Sequence, residues 1–220
     1  MAMTLTDFIS FLMKNTKTIM EYSENHFTLV LLVVGISLAI WVPVGLLLTK
    51  SDKWAARVLA LANTIFCIPS LSMFAILVTI PMFGLGRKSA LLALVLYAMM
   101  PLIRSVYDGV KNVDRNVIEA AKGMGMSTRR ILFEILVPLG MPIIFAGFRV
   151  TVVMTTGIAA IATYIGERNL GRFIQEGLVR SNTPMMVTGA LIISVIAIGL
   201  DTILGLIEKR IVPKGLRISR

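Results

Sequence analysis

The sequence is poor in charged residues and in the side chains that most enzymes use for chemistry. Among its 220 residues, 15% are charged, and there is one histidine and one cysteine. A soluble domain carries about 25% charged residues. A soluble fold with 56% hydrophobic residues could not cover its apolar side chains with so little polar surface. These shortages disfavour a soluble enzyme and exclude a disordered chain. They favour a protein that is embedded in a lipid bilayer.

A single histidine, His26, and a single cysteine, Cys67, leave no metal cluster, no His-based catalytic pair and no internal disulfide. Cys67 lies in an apolar stretch, and we expect it to be a small core residue. The net charge of +10 would suggest nucleic acid in a soluble protein. Here the Lys and Arg residues lie in short runs between apolar stretches, which suits anionic lipid headgroups, so no nucleic-acid partner is expected.

Five apolar stretches are long enough to cross a bilayer, since about 20 residues suffice at roughly 1.5 Å rise per residue. Backbone groups in lipid must bond internally, so we predict an all-α integral membrane protein with five transmembrane helices. The approximate spans are 27–48, 58–80, 89–110, 139–165 and 184–207. Residues 1–26 are an extracytoplasmic lead-in, either a short amphipathic helix on the membrane surface or a loosely ordered segment. Residues 208–220 are a basic tail.

The distribution of Lys and Arg predicts the orientation of the chain. With the C-terminus inside, the inner segments 50–57, 111–130 and 209–220 hold 13 of these residues, and the outer segments hold 7. The positive-inside rule therefore places the N-terminus outside and the C-terminus in the cytoplasm.

The segment 111–138, here called the bend segment, is too long for a plain turn and too short for a domain. Asp114 is a plausible N-cap of a short helix, Gly123 and Gly125 interrupt that helix, and Ser127 can cap a second helix that leads into the fourth span. Such a knob could dock into a groove on a cytoplasmic partner and transmit rigid-body motion into the spans. It could equally be a surface loop that caps the bundle.

The bend segment resembles the EAA signature of permease subunits of ATP-binding-cassette (ABC) importers. The residues that carry this likeness are Glu119-Ala120-Ala121, Gly125, Ile135 and Pro138, with Val137 where the family usually has Leu. The resemblance extends from about residue 29 to residue 208 and includes Ile68-Pro69-Ser70-Leu71, Pro101-Leu102-Ile103-Arg104, 123–126 and 170–174. Together these segments resemble the osmoprotectant branch, whose substrates are glycine betaine, carnitine and choline.

The resemblance implies a type I ABC importer fold over residues 27–207, like that of the methionine importer permeases. It implies that a separate ABC ATPase receives the coupling residues, which are Glu119, Ala120, Ala121, Gly123, Gly125, Ile135 and Pro138. ATP and Mg would be bound by that ATPase and no cofactor by this chain, which lacks a phosphate-binding glycine loop. The other implied partners are a second permease subunit, identical or paralogous, an extracytoplasmic substrate-binding protein and the bilayer of a prokaryotic cytoplasmic membrane.

Four further residues are candidates for a gate or for the structure of the pore: Pro69, Ser70, Pro101 and Arg149. A central Arg costs about 2.5–3.5 kcal/mol on insertion scales, so Arg149 should face protein or water. It is either a pore-facing or inter-subunit charge, or a structural partner of Asp201 or Asp108. Pro69 and Pro101 remove backbone hydrogen bonds and are expected to kink the second and third spans.

The aromatic residues Trp41, Tyr97, Tyr107 and Tyr164 are scattered over the spans and form no visible cage for a quaternary ammonium. Substrate specificity is therefore expected to reside in the separate binding protein. Three alternatives remain at this stage: a permease for another small solute such as methionine, a secondary transporter or channel subunit, and a membrane enzyme. The sequence shows no internal repeat typical of many secondary transporters and no catalytic pair within the spans.

Overall fold

The structure, a computed structural model, describes residues 5–211, and the regular secondary structure in this range is helical. The α-helices are α1 (Leu5–Lys14), α2 (Thr16–Leu48), α3 (Asp52–Phe66), α4 (Ser70–Val78), α5 (Arg87–Lys111), α6 (Arg115–Gly123), α7 (Thr128–Arg130), α8 (Val137–Ala159), α9 (Gly171–Val179) and α10 (Thr183–Ile211). A π-helical turn (Ile131–Leu136) joins α7 to α8, and a 3₁₀-helix (Ala160–Ile165) extends α8. Residues 1–4 of the predicted lead-in and 212–220 of the predicted tail lie outside the described residues.

Four helical segments are long and apolar enough to cross a membrane: Thr16–Leu48, Arg87–Lys111, Thr128–Ile165 and Thr183–Ile211. They contain the first, third, fourth and fifth predicted spans. Helix α5 lies at the centre and packs against α2, α3, α4 and α8, whereas α10 is the least buried of the four. The prediction of an all-α, multi-pass membrane protein is confirmed.

The predicted second span, 58–80, is not one helix. The chain bends by 91° between helices α3 and α4, so the described residues hold four candidate spans, or five if this bent pair counts as one. Pro69 has no N–H, and its ring disfavours a helical conformation at Ile68, which favours a break at this point where the sequence suggested a kink. The Ile68 carbonyl accepts a hydrogen bond from the Tyr97 hydroxyl of α5. Cys67 is exposed at this break, so its assignment to the core is wrong.

The N-terminal lead-in is also more ordered than predicted. The helix of the first span begins at Thr16, well before residue 27, and α1 precedes it and packs against α10. The rings of Phe11 and Tyr22 lie 6.1 and 5.2 Å from the ring of Phe173. Helix α1 is thus a short helix, as one of the two alternatives predicted, and the apolar residues of the lead-in cover a buried cluster formed by α9 and α10.

The central packing of α5 against α8 depends on small residues. A Cβ added to Gly109 of α5 would lie 2.9 Å from the carbonyl oxygen of Gly140, which is closer than real Cβ atoms approach. Glycine is required here so that the two backbones can meet. Helix α5 continues unbroken through Pro101, so this proline does not end the helix as Pro69 does. The close contact fixes α8, which follows the bend segment, against the centre of the bundle.

Candidate functional site

The bend segment contains α6, a glycine bend, α7 and the π-turn. Helix α6 begins where Asp114 accepts a hydrogen bond from the Asn116 backbone N–H at 2.8 Å. The second helix begins where the Ser127 hydroxyl accepts from the Arg130 backbone N–H at 3.4 Å. Both caps satisfy donors that have no partner within the helix, and both confirm the caps predicted from the sequence.

Helix α6 ends at a left-handed glycine. Gly125 has φ +77°. Its backbone N–H donates to the Lys122 carbonyl at 2.9 Å, and the Met126 N–H donates to the Ala121 carbonyl at 3.2 Å. This pair of bonds is a Schellman motif, in which glycine is favoured because residues with a Cβ are strained in the left-handed region. A Cβ on Gly125 would meet nothing within 4 Å, so backbone conformation and not crowding within this chain requires the glycine.

The EAA residues are divided between the inside and the surface of the bend segment. Ala121 is buried, whereas Glu119, Ala120 and Gly123 are exposed. The Glu119 carboxylate lies 3.6 Å from the Arg115 guanidinium in an exposed i, i+4 pair. Such a pair contributes little to stability, so both groups remain available to a partner.

The exposed surface of the bend segment also carries large apolar side chains. Met124 is 74% exposed and Phe133 is 60% exposed, and Val117 is also exposed. Basic residues of the same segment, including Lys122 and Arg129, are exposed as well. Exposed large apolar side chains accompanied by charged residues are typical of a protein interface.

The π-turn connects the bend segment to α8. The Val137 N–H donates to the Leu132 carbonyl, five residues earlier, as a π-helix requires. Pro138 follows directly, and because it has no N–H it cannot continue the α-helical pattern back to Glu134. Ile135 and Pro138 are half-buried. Helical backbone nevertheless runs without a gap from Thr128 to Ile165, so a movement of the bend segment would be carried directly into α8.

Midway along α8, Arg149 forms an ion-pair network with α10. It contacts both carboxylate oxygens of Asp201, with Nε at 2.9 Å and Nη2 at 2.8 Å, and its Nη1 lies 2.7 Å from Glu208. The guanidinium side chain is 19% exposed. The pairing with Asp201 confirms one of the two structural partners considered from the sequence, while Asp108 pairs instead with Arg104 at 2.6 Å. Glu208 was missed, because sequence boundaries assigned it to the tail.

The remaining candidates lie apart from one another. Pro69 and Ser70 lie at the α3–α4 break, Pro101 lies within α5, and Arg149 faces α10. Of the aromatic residues, Trp41 donates its indole N–H to the Val95 carbonyl at 2.8 Å. Thus the structure does not bring the predicted gate residues into one site, whereas the predicted coupling residues all lie in the bend segment.

The comparisons with known proteins agree with this geometry. A family model described as binding-protein-dependent transport system inner membrane component matches residues 32–213. The carnitine transport permease protein OpuCB of Listeria monocytogenes is 33% identical over 96% of both chains. The glycine betaine/carnitine/choline transport system permease protein OpuCB of Bacillus subtilis is 32% identical over 97% of both chains. The osmoprotectant import permease protein OsmW of Salmonella typhimurium is 33% identical over 96% of this chain and 100% of its own.

A chain from the inward-facing MetNI methionine ABC transporter has a similar structure. The TM-score is 0.82 at 18% identity, and the match covers 90% of this chain and 98% of that chain. At this identity the likeness shows the fold alone, and it confirms the predicted type I importer permease fold.

Proposed function

Since this chain belongs to the family of binding-protein-dependent transport system inner membrane components, we propose that it is a permease subunit of an ATP-driven importer of quaternary-amine osmoprotectants. Glycine betaine, carnitine and choline are the proposed substrates. The observation that carries this proposal is the identity of 31–33% to permeases named for carnitine, choline and glycine betaine transport, over at least 95% of both chains. The methionine transporter shares the fold at lower identity, so it does not favour methionine as the substrate.

The bend segment is the proposed docking site for a separate ABC ATPase. Its exposed Met124 and Phe133, together with the exposed Glu119, offer the apolar centre and charged rim that a protein groove would receive. The unbroken helix from Thr128 to Ile165 would carry the movement of the ATPase into α8. ATP and Mg are assigned to that partner, and this chain is assigned no cofactor of its own.

Arg149 is the proposed link that makes α8 and α10 move together. Its guanidinium holds Asp201 and Glu208, which lie two helical turns apart on α10. Since α8 continues from the bend segment, a displacement of that segment would reach α10 through these ion pairs. This role favours the structural interpretation of Arg149 over a pore-facing charge, and Pro69, Ser70 and Pro101 remain candidates for a gate.

The complete importer would also contain a second permease chain and an extracytoplasmic binding protein. In the proposed orientation, the bend segment faces the cytoplasm and α9 faces the binding protein, in a prokaryotic cytoplasmic membrane. Initial selection of the substrate is assigned to the binding protein.

Uptake by cells tests this function. A strain that lacks this gene, with and without a plasmid copy, is given radiolabelled glycine betaine, carnitine, choline or methionine at high osmolarity. We expect the gene to restore uptake of at least one quaternary amine and to leave methionine uptake unchanged. Restoration of methionine uptake alone would overturn the substrate assignment.

A further inference from the structure

A depression of about 580 Å³, open to the surface, lies beside α9 at the end of the bundle opposite the bend segment. One wall is the end of the 3₁₀-helix and the loop after it, and the other is one face of α9. The lining residues are Leu85, Thr163, Tyr164, Ile165, Gly166, Glu167, Arg172, Gln175, Glu176, Val179 and Arg180. We call it the α9 cavity. Its volume lies within the range of about 300–1,000 Å³ that is usual for small-molecule sites.

The first wall holds a buried carboxylate whose negative charge is only weakly balanced by a nearby cation. The Glu167 side chain is 7% exposed, and its closest cation is the Arg87 guanidinium at 3.8 Å. That guanidinium also donates to the Thr28 hydroxyl at 2.8 Å. The residues that the structure describes donate no hydrogen bond to the Glu167 carboxylate. Burial raises the pKa of Glu167, and Arg87 lowers it by less. A buried carboxylate of this kind gains from a further positive group.

Tyr164 provides an aromatic surface on the same wall. Its side chain is half-exposed and lines the cavity three residues before Glu167. A quaternary ammonium has no N–H, so it cannot form hydrogen bonds. It is recognised instead by the faces of aromatic rings and by nearby negative charge. Tyr164 and Glu167 provide one of each.

The wall formed by α9 has the opposite character. Arg172 and Arg180 both contact the Glu176 carboxylate, at 2.5 and 3.1 Å, so two guanidinium groups share one negative charge. These three residues lie on one face of α9, and the opposite face buries Phe173 and Gly177. A guanidinium carries five N–H donors and favours carboxylates, so this wall can receive a second carboxylate beside Glu176.

We propose that the α9 cavity is a binding site of the permease itself for zwitterionic quaternary amines. The trimethylammonium group is placed against Tyr164 and Glu167, and the carboxylate of the ligand against Arg172 and Arg180. The proposal rests on the proposed function and deepens it. It adds a second selection step after the binding protein, one that favours glycine betaine or carnitine, which carry a carboxylate, over choline, which does not.

The test compares glycine betaine and choline in proteoliposomes that hold the full assembly with saturating binding protein. We expect Arg180→Gln to lower glycine betaine uptake about tenfold relative to choline, because one charge-assisted contact to the carboxylate is lost. Glu167→Gln should lower uptake of both solutes, since both carry the ammonium. Arg168→Gln is the matched control, because Arg168 is exposed, adjacent to Glu167 and absent from the lining.

The variants must first be shown to be assembled, by membrane protein level and by ATPase activity that the binding protein stimulates. Arg180 is largely exposed, so its substitution should not disturb folding. Wild-type uptake reports on the proposed function, and the ratio of glycine betaine to choline uptake in Arg180→Gln reports on the cavity. An unchanged ratio in that variant overturns the cavity proposal while the function stands. If both solutes fall equally together with the stimulated ATPase activity, the cavity is a contact for the binding protein and the proposal is also overturned.

Discussion

Gly125 offers the sharpest test of the bend segment, because its left-handed backbone closes α6. Gly125→Val would place a β-branched residue at φ +77°, where an L-residue is strained by about 1–2 kcal/mol. A penalty of that size lowers the population of the observed bend relative to alternative conformations by a factor of about 5–30. A Cβ here meets nothing within 4 Å, so the strain comes from the backbone and not from a clash within this chain.

The assay is ATP-dependent uptake by the full assembly, with the ATPase that co-purifies measured in parallel. We expect Gly125→Val to lose most uptake at an unchanged membrane level, because the spans are untouched. Gly125→Asn should recover much of the loss, since Asn tolerates the left-handed region. Gly84→Val is the matched control: Gly84 has φ +62° and open space around it, but lies outside the bend segment, so it should leave the bound ATPase unchanged. Normal transport by Gly125→Val at equal expression would refute the assignment of the bend segment as the coupling element.

Three further predictions concern the ion pairs, the topology and the buried carboxylate. Arg149→Met should destabilise the assembly by about 1.5–3 kcal/mol, because Asp201 and Glu208 lose the guanidinium that contacts both carboxylates, whereas Arg104→Met should change stability by under about 1 kcal/mol. Thermal unfolding checks this, and equal shifts for the two variants would contradict the network. A reporter inserted at Ser181 should behave as external, and one placed after residue 220 as cytoplasmic; the reverse pattern would contradict the orientation. Burial raises the pKa of Glu167, so the folded protein holds the carboxyl proton more tightly than the unfolded chain does. The free energy of unfolding therefore falls as the pH rises through that pKa. Glu167→Gln should therefore raise the melting temperature more at a pH above the pKa of Glu167 than in acid, and a pH-independent shift would contradict the burial effect.

The local features of the bend segment could be predicted because they depend on neighbouring residues. Asp114 and Ser127 cap the helices that follow them, and Gly125 occupies the left-handed end of α6. Each of these depends on a side chain or backbone within a few residues of its partner. The four long spans were predictable for a similar reason, since length and hydropathy are properties of a continuous stretch.

The features that were missed depend on contacts between distant parts of the chain. The break at Pro69 is complete because the Tyr97 hydroxyl donates a hydrogen bond to the Ile68 carbonyl. The lead-in is ordered because the ring of Phe11 packs against the ring of Phe173. Glu208 joins Arg149 only when α10 continues past the expected end of its span. Hydropathy predicts which residues are buried, but it does not predict which buried residues contact one another.

Reconstitution with purified partners distinguishes an ATP-driven importer from a carrier driven by an ion gradient. Proteoliposomes that hold this permease with its ATPase, with binding protein outside and ATP inside, are given radiolabelled glycine betaine, carnitine or choline. We expect the label to accumulate only when ATP and binding protein are both present, and we expect that a proton or sodium gradient cannot replace ATP. Accumulation driven by an ion gradient in the absence of ATP would contradict this expectation.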